Sequence, residues 1–185
     1  MKNLLNNQKG YTLLELLAVM IVMAAVGLIV ATILVSSLRG SNKTNVIDTV
    51  RENGNYTIQQ MSKMIEFAQS FQGVSTTGTS YSSACTVPST HYSYIKITSF
   101  DNGQTIFSCN MTSNPKTIAS NSASFINTKD VSVVDCYLTC TRNNLSQSPT
   151  IGINFTLSQN SQSAFFEKKA SIVFGTSVVI RNLNK

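Results

Sequence analysis

Histidine is almost absent from this chain of 185 residues, since His91 is the only one. A Ser-His-acid nucleophile needs a His held beside an activated Ser and a carboxylate, and one His in the Ser- and Thr-rich stretch 73–93 does not indicate that arrangement. The glycines of this stretch lack the Lys of a phosphate-binding loop, and no acidic calcium-binding loop occurs. The sequence therefore favours a non-enzymatic protein with a surface histidine, no cofactor and no metal site.

Charge is missing from Leu16 to Val35, which are twenty consecutive residues. As an α-helix they would be about 30 Å long, which is the thickness of the bilayer hydrocarbon. The sequence predicts one membrane-spanning helix, to which we assign residues 11–38. The span contains no proline, and Gly27 is its weakest helix position, which suits local loosening or close helix packing equally well.

An ordinary secretory signal is missing too. The first ten residues, MKNLLNNQKG, have the basic character of such a signal through Lys2 and Lys9, but the apolar run is too long and no Ala-x-Ala site follows it. The small residue Gly10 instead lies before the run. Cleavage after Gly10 would remove a leader of residues 1–10, keep the span and make Tyr11 the new N-terminus.

The stretch KGYTLLELL resembles the class III signal of type IV prepilins through Gly10, Thr12, Leu13, Leu14 and Glu15. Tyr11 stands where that family usually has Phe. The resemblance implies cleavage between Gly10 and Tyr11 by a prepilin peptidase at the cytoplasmic face, and N-methylation of Tyr11. It also implies a single-pass inner-membrane protein with its C-terminal domain outside the cytoplasm, later assembled with other pilin subunits on a pilus platform.

Glu15 is the one acidic residue near the head of the span. A carboxylate at the centre of a membrane costs on the order of 2.5–3.5 kcal/mol, and less near an interface. Glu15 could therefore simply reach the lipid headgroups. The resemblance offers a second reading, in which Glu15 pairs with the Tyr11 ammonium of a neighbouring subunit and sets the register of assembly.

Beyond the span, apolar residues recur every three or four positions. They form one stripe, which predicts an amphipathic helix over residues 39–72 with a weak point at 51–56 around Gly54. The rest, 73–185, begins with a loop and continues as short strands, with a tight turn at Asn102-Gly103 and a bulge or break at Gly175. The strand candidates are 92–97, 104–111, 123–127, 131–141, 150–158 and 165–182.

These elements predict an α+β fold in which a long N-terminal helix continues into an amphipathic helix packed on an antiparallel sheet. The same ladle shape is what the pilin resemblance implies. The closing segment TSVVIRN is similar to the last strand of W-type minor pilins and J-type secretion pseudopilins.

The four cysteines, Cys85, Cys109, Cys136 and Cys140, all follow the span. An even number in an exported domain favours two disulfides over free thiols, and zinc lacks a matching ligand pair. Cys136 and Cys140 would lie about 13 Å apart in one strand, too far to bond to each other. Each therefore pairs with Cys85 or Cys109, unless a kink joins the two.

Together these features predict a minor pilin or pseudopilin of a type IV pilus-like filament. The alternatives are a type II secretion pseudopilin, a DNA-uptake or adhesive pilin, and a membrane-anchored enzyme. After Gly10 the chain has 14 − 2 = 12 basic and 8 acidic residues, so its excess of +4 only weakly favours nucleic acid as a partner. The stretch FFEKK, 165–169, suits an edge strand protected by lysines better than a nucleic-acid site.

Overall fold

The computed structural model describes residues 10–85, 90–142, 144, 147–160, 165 and 168–181. Its chain divides into two compact units, the first ending at Ser41 and the second running from Asn42 to Lys185. The described elements are one helix and eight strands: α1 Leu13–Glu66, β1 Ser70–Ser75, β2 Tyr94–Thr98, β3 Gln104–Asn110, β4 Thr117–Ser120, β5 Ala123–Ser124, β6 Val131–Thr141, β7 Thr150–Gln159 and β8 Ser171–Val179.

Helix α1 contains 54 residues and is therefore about 80 Å long at 1.5 Å per residue. It continues through Gly27 and through the predicted weak point at Gly54 without interruption. In the second unit its buried residues are Val50, Gly54, Thr57, Met61 and Ile65, and all but Thr57 belong to the predicted apolar stripe. The α+β prediction, a long helix packed on antiparallel sheet, is confirmed.

The predicted extent of the amphipathic helix, 39–72, is wrong at its C-terminal end. The helix stops at Glu66, and residues 70–75 form β1, which pairs with β2 and buries Phe71 and Val74. Helical periodicity in the sequence cannot report this pairing, because the hydrogen bonds of a strand come from a distant segment. The sheet domain therefore begins before the predicted residue 73.

The first sheet is an antiparallel meander with the order β1-β2-β3-β4-β5. The predicted turn between β2 and β3 is confirmed, since Asn102 has φ 64° and the Ser99 N–H donates to the Gly103 carbonyl at 2.8 Å. Strand β4 was not predicted, and only 123–124 of the predicted strand 123–127 is a strand.

The second sheet has the order β6-β7-β8. Strand β8 is shorter than the predicted 165–182, and the expected bulge at Gly175 is wrong because Gly175 pairs in regular register with Asn154. The register shifts instead between Val133 and Asp135 of β6. Lys168 and Lys169 precede β8, so the expectation that they protect an edge strand is also wrong; residues 166 and 167 lie outside the described part of the chain.

One core joins the helix to both sheets. Phe174 of β8 is stacked on Phe155 of β7, with ring centroids 5.3 Å apart, and its ring fills the space where Gly54 of α1 lacks a side chain. At the end of α1, the backbone N–H of Arg181 donates to the Glu66 carbonyl at 3.0 Å, and the two side chains form an ion pair at 2.7 Å. The largest fully buried side chains are Phe107, Phe155, Met61, Ile65, Ile95, Ile97, Ile118, Leu138, Ile151, Ile153, Leu157 and Ile180.

Candidate processing and assembly site

The bond between Gly10 and Tyr11 lies in exposed, non-helical backbone just before α1. Tyr11 is 82% exposed, and a Cβ added at Gly10 would meet nothing within 4 Å. The packing of the described chain therefore gives no reason for a glycine at position 10. Residues 1–9 of the predicted leader lie outside the described residues.

Thr12 caps the N-terminus of α1. Its hydroxyl oxygen accepts the N–H of Glu15 at 3.2 Å, and its carbonyl accepts the N–H groups of Glu15 and Leu16. A Thr followed three residues later by Glu is the pattern of a capping box, and a carboxylate in the first turn also interacts favourably with the helix dipole. Sequence reasoning missed this local role, although the Thr-x-x-Glu spacing was visible.

The helical surface that follows is apolar, and no described residue covers it. Every described residue from Gly10 to Asn42 is exposed, including Leu13 at 83% and Met23 at 68%. By length and composition this stretch of α1 can cross a membrane. Because exposed apolar surface of this extent is unfavourable in water, lipid or other helices must cover it.

Two polar residues inside this surface, Thr32 and Glu15, differ in how their side chains are accommodated. The Thr32 hydroxyl donates to the Ile29 carbonyl at 2.8 Å within the same helix, so it does not need a partner from outside. Glu15 lies in the first turn of α1. Its carboxylate is exposed together with the apolar side chains around it.

Comparison with known families identifies this segment. Residues 5–35 match the prokaryotic N-terminal methylation motif. The match supports a type IV pilin-like class III signal and a type IV pilin-like or pseudopilin-like role, and with the apolar helix it fits a membrane-anchored pilin. It covers 35 − 5 + 1 = 31 residues of the N-terminal segment and gives no support to the W-type or J-type likeness. No curated protein and no solved structure matches the chain.

The four cysteines form two disulfides, Cys85–Cys140 and Cys109–Cys136. The expectation of two disulfides is confirmed, and of the two arrangements that the sequence left open the structure has the one in which Cys136 and Cys140 bond to different partners. Their positions four residues apart place both on the buried face of β6, where one bonds to β3 and the other to the loop before β2. The thiols are consumed in these bonds, so they cannot serve as zinc ligands.

His91 is exposed and stacks on Tyr137 of β6, with ring centroids 3.9 Å apart and planes inclined by 19°. This contact explains the residue as part of a surface aromatic pair. Elsewhere, burial and the neighbouring Tyr94 raise the pKa of Tyr81 above its ordinary value of 10.0.

Proposed function

We propose that this protein is a minor pilin or pseudopilin of a type IV pilus-like filament, processed after Gly10 and polymerised through α1. The observation that carries the proposal is the exposed apolar surface of residues 13–38, most of which lies within the segment 5–35 that matches the N-terminal methylation motif. A prepilin peptidase, other pilin subunits, an assembly platform and the membrane are its proposed partners. A type II secretion pseudopilin is an alternative that the same motif supports equally.

Polymerisation would exchange lipid contacts for contacts between helices. Lipid tails are as apolar as Leu side chains, so this exchange gains little from the hydrophobic effect, and close packing and polar pairs decide the geometry. Cleavage would create an ammonium group on Tyr11, four residues before Glu15. In a low-dielectric bundle, an ion pair between this ammonium and Glu15 of a neighbour favours one axial offset over others.

Gly10→Val tests the proposal because it alters the cleavage site at a position where the described chain has open space. We expect the variant to keep its leader, remain in the membrane fraction and be absent from filaments sheared from the cell surface. Gly40→Ala is the matched control, since a Cβ at Gly40 also meets nothing within 4 Å. It should be processed and recovered in filaments. Normal filament recovery of Gly10→Val would contradict the proposal.

A further inference from the structure

A groove of about 660 Å³ lies between α1 and the second sheet, wholly within the Asn42–Lys185 unit. Its volume is in the range of small-ligand sites. The helix contributes Lys43, Ile47 and Arg51, and the sheet side contributes Ser158, Gln159 and residues 169–172. Its wall therefore combines three cations with the half-buried apolar side chains of Ile47, Ala170 and Ile172.

Among the described residues, Lys43 contacts the segment before β8 and Arg51 contacts Asp48. The Lys43 Nζ donates to the Lys169 carbonyl, which joins the helix to the segment just before β8. The guanidinium of Arg51 lies 3.5 Å from Asp48, and its side chain is 59% exposed. An exposed pair of this kind is weak, so Arg51 is able to turn towards an anion in the groove.

Gln159 adds an independent sign of a ligand. Gln159 lines the groove, and its Oε1 is buried and receives no hydrogen bond. A buried acceptor left unpaired is unfavourable, and a rotation of the Gln159 side chain that brings Oε1 to the groove would pair it with a donor from a ligand. A compound with a phosphate for the cations and a hydroxyl for Gln159 meets both requirements.

The sequence places Lys43 of this groove within reach of the membrane surface. Lys43 follows Leu38, the end of the assigned span, by five residues, and five residues of chain reach at most about 18 Å. The polar layer on one side of a bilayer is about 5–8 Å thick, and electrostatic attraction extends a further 8–10 Å at physiological salt. Phospholipid headgroups are thus the anions within reach.

We propose that the groove binds the headgroup of an anionic glycerophospholipid in the leaflet on the C-terminal side of the span. Lys43, Arg51 and Lys169 bind the phosphate, and a headgroup hydroxyl donates to Gln159 Oε1. The groove then retains the globular unit at the membrane surface. This inference rests on the membrane span and not on filament membership, so it stands or falls separately from the proposed function.

The test uses the full chain in nanodiscs in which phosphatidylglycerol is titrated into phosphatidylcholine. Each cation near a membrane surface contributes about 1 kcal/mol, so Lys43→Gln/Lys169→Gln should raise the apparent Kd for phosphatidylglycerol about 25-fold. Arg51→Gln, which disturbs no backbone contact, should raise it about fivefold. Lys116→Gln is the matched control, because Lys116 is exposed and lies outside the groove, and should leave the Kd within about twofold.

Phosphatidylmethanol separates the role of Gln159 from that of charge, because it carries the same phosphodiester without a headgroup hydroxyl. Gln159→Leu should remove the preference of the protein for phosphatidylglycerol over phosphatidylmethanol and leave binding of the phosphodiester intact. Unchanged lipid binding in the double lysine variant would overturn the inference. So would displacement of the lipid by soluble glycerol phosphate or duplex DNA at comparable concentration, which would indicate a free-anion or nucleic-acid site.

Discussion

Glu15 combines a local role with a proposed intermolecular one. In the described chain it belongs to the first turn of α1, where Thr12 caps its N–H. The hydrogen bond from the Glu15 N–H to Thr12 accounts for the start of the helix, and it does not involve the charge of the Glu15 carboxylate. The charge is costly in a membrane, so we assign it to the pairing with a neighbouring Tyr11. The two roles can be separated by substitution.

Glu15→Gln keeps a side chain suited to the third helical position of a capping box and removes the charge. We expect the variant to be processed normally but to be recovered from sheared filaments at a level reduced about tenfold. Glu52→Gln, which removes an exposed carboxylate beyond the span, is the control and should assemble normally. Normal assembly of Glu15→Gln would remove the register argument.

Gly54 is required by packing on Phe174, because a Cβ at residue 54 would overlap the Phe174 ring. We expect Gly54→Ala to destabilise the second unit by about 1–2 kcal/mol, since overpacking costs more than the gain in helix propensity. Gly40→Ala, where the space is open, should instead be neutral or stabilising. Thermal unfolding in detergent micelles measures both changes.

A double substitution checks the mechanism assigned to Gly54. Phe174→Leu removes the ring and should make Gly54→Ala much less harmful in that background. The two substitutions should therefore be coupled by at least about 1 kcal/mol. If their effects on the free energy of unfolding simply add, the contact with Phe174 does not explain the glycine.

At the scale of elements, the disulfides fasten β6 to chain segments that precede it. They close loops between residues 55 and 27 positions apart in sequence, for which chain entropy predicts about 4 kcal/mol of stabilisation each. Cys109→Ala/Cys136→Ala should lower the free energy of unfolding by about 2–4 kcal/mol, measured by denaturant titration. A change below about 1 kcal/mol would mean that the contacts of β3 and β4 hold β6 without the bond.

The helix and the general form of the sheets were predictable because they depend on local patterns. The uncharged run, the apolar stripe of α1 and the Asn102-Gly103 turn are each determined by residues that are close together in the sequence. Strands β1 and β4 were missed because each is defined by pairing with another strand, which no short window contains. The role of Gly54 was misread as a helix weakness for the same reason, since its partner Phe174 lies 120 residues away.

The candidate functional residues also differ in whether the sequence alone can reveal them. Gly10, Tyr11 and Glu15 were selected from fixed spacing in one short segment, which lies within the family match to residues 5–35, and their individual roles stay predictions. The groove with Lys43, Arg51 and Lys169 could not be predicted, because Lys43 and Lys169 meet only through the fold. The apparent likeness of the closing strand to particular subtypes rested on seven residues, too few to be specific.

At the scale of the whole molecule, the chain combines a folded unit with an N-terminal stretch of α1 that no described residue covers. The buried core and both disulfides belong to Asn42–Lys185, whereas every described residue from Gly10 to Ser41 is exposed. Such a division has a physical explanation if the helix is covered first by lipid and then by other subunits. The proposed function therefore depends on cleavage after Gly10 and methylation of the new N-terminus.

Mass spectrometry measures this cleavage and methylation directly, on protein extracted from the membranes of its native host. We expect a mature chain that begins at Tyr11, carries one methyl group on its α-amine and retains all residues of the apolar span. A chain that still begins at Met1, or one cut beyond Leu38 so that the span is lost, would contradict the central claim.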